Sequence, residues 1–68
     1  MTAKGRTVKY RVWATPIFND NGCIDWRAHI SRGTRQWDMP NPWLSHVWAV
    51  EGAIKHLSLG RLRADWLV

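Results

Sequence analysis

The side chains that could hold a metal or drive covalent chemistry are Cys23, His29, His46 and His56, together with five Asp/Glu. Their spacing argues against both uses. Cys23 and His29 fall in one extended stretch, where about 3.3 Å per residue sets them about 20 Å apart. That is too far to share an ion, or to pair a thiol with its base. His46 and His56 fall in a helical stretch, about 15 Å apart along its axis. The acids form no pair suited to general acid–base work, and no Gly-rich phosphate loop occurs. The sequence predicts no enzyme, no catalytic residue, no metal and no cofactor.

Binding chemistry is better supplied. Six tryptophans sit in 68 residues, and ten Lys/Arg outnumber five Asp/Glu, for a formal charge of +5. So short a chain needs few large side chains to fill a core. Some indoles are therefore expected at the surface, where they stack on a base or anchor a protein contact. The positive charge favours an anionic partner, either nucleic acid or an acidic protein surface.

The length allows one domain with a small core. A single cysteine, Cys23, excludes an internal disulfide. Buried tryptophans, each removing roughly 150–250 Å² from water, are the expected substitute. One free cysteine fits a reducing, cytoplasmic setting. The first residues are polar and basic, without the apolar stretch of a signal peptide. No apolar run approaches the roughly 20 residues of a membrane span, so no membrane partner is expected.

The elements that position these residues follow from periodicity. Residues 1–6 read as a flexible basic arm, and 7–68 as one small domain. Over 7–18, Val8, Tyr10, Val12 and Ala14 alternate with Lys9, Arg11, Trp13 and Thr15, the period of a half-buried strand. Over 23–31, Ile24, Trp26, Ala28 and Ile30 alternate with Asp25, Arg27, His29 and Ser31. A short third strand is predicted over 35–39, after a turn at Arg32-Gly33. Asn41 is predicted to cap a helix over 42–58, with Pro42 in its first turn. Trp43, Val47, Val50, Ile54 and Leu57 form its predicted core stripe, with Gly52 opposite. Arg61 to Val68 is expected to form a short C-terminal turn or helix. The fold class is α+β, a three-stranded antiparallel sheet packed on one α-helix in the order β-β-β-α. Trp26, Trp37, Val47 and Ile54 are expected in one core, and Trp43 with them.

The first turn can be resolved further, because face parity must match across a hairpin. A two-residue Asn21-Gly22 loop would put Lys9 and Arg11 on the face of Ile24 and Trp26. A three-residue Asp20-Asn21-Gly22 loop puts Val8, Tyr10, Val12 and Ala14 there instead. Burying cations costs more than any turn preference. The longer loop is therefore predicted, with Gly22 in the left-handed position. Trp13 then opposes His29, Arg11 opposes Ser31, and Thr15 opposes Arg27. The second turn sets Arg27 against Asp38 and His29 against Gln36.

With the helix on the apolar side, the open side presents Lys9, Arg11, Trp13, Arg27 and His29, flanked by Arg32 and Arg35. These seven residues are the candidate binding face. Cations on an open sheet often serve solubility alone, and Arg27 could simply pair with Asp38. An indole among cations has no solubility role. Either Trp13 is a contact residue, or the arm or the C-terminal tail covers it. On the helix, Leu44 and Trp48 make a second apolar flank. Leu59, Leu62 and Trp66 are expected to fold back onto it. The alternative is that Trp48, with Lys55 nearby, anchors a partner or a homodimer with the C-terminal tail.

Three antiparallel strands and a helix over about residues 7–58 resemble the small DNA-binding domains of the integrase-arm type, which lay a sheet in the major groove. The resemblance is architectural and rests on no sequence motif. Two functions are expected. One is a nucleic-acid-binding module that uses the sheet face and the arm. The other is a small phage- or mobile-element-type inhibitor or adaptor docking on a larger nucleic-acid-handling protein, of the anti-CRISPR, anti-restriction or polymerase-inhibitor class.

Overall fold

The computed structural model describes residues 9–68. The expected arm over 1–6, and Val8, lie outside the described residues. Strands β1 (Arg11–Phe18), β2 (Ile24–Arg32) and β3 (Arg35–Asp38) form one antiparallel sheet in the order β1-β2-β3. Helix α1 (His46–Ser58) packs on it, and a 3-10 turn (Ala64–Trp66) follows. This is the expected β-β-β-α architecture with a C-terminal turn.

The first hairpin turns through Asp20, Asn21 and Gly22. Asn19 and Cys23 close it, with Asn19 N donating to Cys23 O at 3.0 Å. Asn21 Oδ1 accepts from Cys23 N at 3.1 Å, and Gly22 sits at φ +84°, where side chains other than glycine are strained. Trp13 therefore opposes His29, Arg11 opposes Ser31 and Thr15 opposes Arg27, as parity predicts. Pro16 is tolerated within β1 because this is an edge strand, where a missing N–H need not break the ladder.

The second hairpin differs from the expectation. It turns through Gly33-Thr34, with Arg32 opposite Arg35. His29 consequently opposes Asp38 rather than Gln36, and Arg27 lies beyond the end of β3. The shift is two residues, so every side chain keeps its face. Parity alone could not detect it. The observed turn sets Ile30 against Trp37 in the middle of the core.

The helix also starts later than expected. Trp43 is extended and bridges Trp26 through two backbone hydrogen bonds of 2.8 Å. β3 stops short of this part of β2, so Trp43 satisfies backbone groups that would otherwise be left open. The helix then begins after Ser45, whose hydroxyl accepts from Trp48 N at 3.1 Å. Asn41 cannot act as the cap, because a helix beginning there would take Trp43 out of its pairing with β2.

The core comprises Ala28, Ile30, Trp37, Met39, Ala49 and Ala53. Val12, Ala14, Trp26, Trp43, Leu57, Leu62 and Trp66 pack around it. Trp37 is buried as expected, and Trp26 and Trp43 are partly buried. Val47 and Ile54 are not in the core. They are 59% and 50% exposed, which corrects the predicted helix stripe at those two positions, while Trp43 and Leu57 of the same stripe pack on the core. The inward face of α1 is instead its small side, Ala49 and Ala53. The physical reason is volume: tryptophans from the sheet and from residue 43 already fill the space. A Cβ at Gly52 would lie 2.3 Å from the Trp43 ring, so Gly52 admits that ring rather than merely weakening the helix.

The C-terminal segment does not cover Trp48. Leu67 bridges Trp37 and Val68 N donates to Gln36 O at 2.9 Å, which closes the outer edge of β3. Leu62 and Trp66 pack on the core, and Trp66 meets His56 edge-on at 5.7 Å. The expected fold-back onto Trp48 is thus replaced by pairing with an open strand edge, which satisfies backbone groups as well as apolar ones.

Candidate functional site

On the side of the sheet away from α1, alternation gathers Arg11, Trp13 and Thr15 from β1, Arg27, His29 and Ser31 from β2, and Gln36 and Asp38 from β3. His29 lies on the central strand, directly between Trp13 and Asp38. The indole of Trp13 stacks on its ring, with centroids 5.3 Å apart and planes 22° from parallel. Thr15 Oγ1 is 2.7 Å from His29 Nε2. Asp38 Oδ1 is 2.7 Å from His29 Nδ1 and also accepts from Gln36 Nε2 at 2.9 Å.

These neighbours wall the imidazole in, and His29 is only 8% exposed. The sequence predicts His29 as an outward-facing contact residue. It is instead the buried centre of the face, and it acts through the groups it holds. A threonine hydroxyl both donates and accepts. The Thr15–His29 hydrogen bond therefore survives whether Nε2 carries a proton or not.

Burial by itself would raise the pKa of Asp38. The hydrogen bonds from His29 and Gln36, and the charges of His29 and Arg27, outweigh burial and hold it below the ordinary carboxylate value. The expected Arg27–Asp38 pair is not formed, because the register gives Asp38 to His29. Arg27 contributes only its field.

Hydroxyl, imidazole and carboxylate stand here in the atom order of a relay that activates a nucleophile. Thr15 is flanked by the side chains of Trp13 and Arg27 on an open strand surface. One physical consequence of the network is rigidity, since it fixes the Trp13 ring over a buried imidazole.

Lys9, Arg11 and Arg27 are exposed around this centre. Among the described residues the side-chain ion pairs are His29–Asp38 and Arg63–Asp65, so neither arginine of this face is neutralised by one. Asp25, at the far end of the same face, accepts from Asn19 Nδ2 at 2.9 Å. Arg32 and Arg35 stand opposite each other at the end of the sheet. Alternation turns both to the helix side, where the Arg32 guanidinium carbon lies 5.5 Å from the centre of the Tyr10 ring. They form a rim rather than part of the open face. A depression lined by Arg11, Trp13, Arg35 and Gln36 connects that rim to the face.

The structure thus brings together Arg11, Trp13, Arg27 and His29, with Lys9 at their edge. Thr15, Gln36 and Asp38 belong to the same centre and are not among the residues the sequence singles out. Their parity was visible in the sequence, but the misplaced second turn set Gln36, not Asp38, opposite His29. Comparison with protein-family models, curated proteins and solved structures finds no match for this chain.

Proposed function

We propose that this chain is a non-enzymatic binding domain that holds nucleic acid, DNA or RNA, against the open face of its sheet. The observation that carries this reading is the pairing of an immobilised indole with free cations. Trp13 is held by stacking on His29, and exposed Lys9, Arg11 and Arg27 surround it. The two acids of the face, Asp25 and Asp38, are engaged by Asn19 and by His29 with Gln36. Cations so placed contact phosphates, and a fixed indole offers a stacking surface at low entropic cost. Exposed, free Cys23 supports a reducing, cytoplasmic setting.

The test is titration of labelled single- and double-stranded oligonucleotides over a range of salt. Arg11→Ala weakens binding across sequences and lowers the salt slope by about one phosphate contact. Trp13→Ala costs roughly 1–3 kcal/mol with little change in slope. Binding that neither substitution disturbs moves the interface off this face. No binding even at low salt removes the reading.

The second reading is a small inhibitor or adaptor that docks the same face on an acidic surface of a nucleic-acid-handling protein. Trp and Arg side by side are the residue types most enriched at binding hot spots, which favours it. On such a partner the loss from Trp13→Ala dominates, and binding persists at high salt.

A further inference from the structure

We propose that the outer face of α1 is a self-association surface, occupied by a second copy of this chain packed antiparallel across a two-fold axis. The inference stands on the helix alone and does not depend on the nucleic-acid reading.

Large apolar side chains concentrate where the helix faces outward. Leu44, just before the helix, is 75% exposed, Val47 59%, Trp48 55% and Ile54 50%, and Leu59 at its C-terminal end is similarly open. Nothing from the described residues covers them, because the C-terminal segment is committed to β3. Several half-exposed side chains of this size amount to about 500 Å² of apolar surface, which on a small protein marks an interface. Buried on two copies, with the aliphatic stem of Lys55 added, that area approaches the roughly 1,200 Å² at which specific association begins.

Charge selects the occupant. The chain carries +5 overall, so most ways of bringing two copies together repel. The outer face of α1 carries one acid, Glu51, and one base, Lys55, one helical turn apart. An antiparallel pair with its two-fold axis near Ala53 sets Glu51 of each copy against Lys55 of the other. The same register sets Val47 against Leu59 and gives each Trp48 the small Ser58 as its neighbour, with Ile54 close to the axis. The face is thus complementary to itself in charge and in volume. A groove between Trp48 and Leu59, bordered by Gly52, Lys55 and Arg61, faces Ile54 of the second copy in this register. Because α1 lies behind the sheet, the pair presents its two open sheet faces outward on opposite sides.

The experiment is sedimentation equilibrium of the full chain without nucleic acid, with circular dichroism to show that each variant is folded. The wild type is expected to pass from monomer to dimer with rising concentration, and no further. Trp48→Ala and Val47→Glu each weaken the dimer at least about tenfold. Glu51→Lys weakens it also, and adding Lys55→Glu restores it, because the reversed pair is again complementary across the axis. A wild type that stays monomeric up to its solubility limit overturns the proposal. A dimer unmoved by Trp48→Ala and Val47→Glu overturns it by placing the contact elsewhere. Failure of the charge swap to restore association overturns the antiparallel pairing.

Discussion

On the open side of the sheet a histidine is 8% exposed, while on the outer side of α1 a valine is 59% exposed. The first surface buries a polar group by surrounding it with partners: Thr15, Asp38 and the ring of Trp13 each occupy one side of His29. The second leaves apolar groups in water because no room remains beneath them. Tryptophans reach the interior from the sheet and from the linker, so the helix docks through Ala49 and Ala53. Residue type therefore misjudges both surfaces for one reason. Burial is decided by which neighbour fills a volume first, and by whether a polar group finds its hydrogen bonds.

Substitutions can break or sharpen this contrast. The largest effect is expected at the point where the helix meets the linker. Gly52→Val drives a side chain into the Trp43 ring, where even a Cβ would stand at 2.3 Å. The helix must then shift or Trp43 must leave its bridge with Trp26, at a cost of about 3 kcal/mol or more, read as a lower urea midpoint. Unchanged stability would mean that α1 presents another face to the sheet.

His29→Ala comes next. It leaves the half-buried carboxylate of Asp38 with Gln36 as its remaining partner, takes the imidazole from the hydroxyl of Thr15, and removes the platform under Trp13. A loss of about 1–3 kcal/mol is expected from the unmet hydrogen bonds, with Trp13 fluorescence shifting to the red as the indole becomes wet. Stability near that of the wild type would show the network to be ornamental.

The pH dependence is smaller and has a definite sign. The folded pKa of Asp38 lies below its unfolded value, so its ionised form stabilises the fold at and above the usual carboxylate range. As pH falls through that range the unfolded state takes up the proton first. The contribution fades and is gone below the folded pKa. Urea midpoints measured from neutral to strongly acid pH should fall more steeply for the wild type than for Asp38→Asn. Parallel profiles would remove Asp38 from the account.

The smallest effect belongs to the outer helix face. Val47→Ser and Ile54→Ser, measured in dilute solution where the chain is monomeric, should each change stability by no more than about 0.5 kcal/mol. A cost typical of a core position would return these residues to the interior and reverse the contrast.

The amino-acid order alone determined the strands, their faces and the first turn. Period-two alternation assigns Val12 and Ala14 to one side and Arg11 and Trp13 to the other, and the cost of burying cations selects the Asp20-Asn21-Gly22 loop over the shorter one. Those are local or single-hairpin constraints, complete within a dozen or so residues of each other. Three things were left to the tertiary structure. The second turn could slip by two residues without moving any side chain off its face, so only the matching of Ile30 with Trp37 across the core set His29 against Asp38. The start of α1 depended on an open stretch of β2 that claimed Trp43. The rotation of α1 depended on how much volume Trp26, Trp37, Trp43 and Trp66 had already filled, a quantity summed over the whole chain and therefore invisible in any window of it.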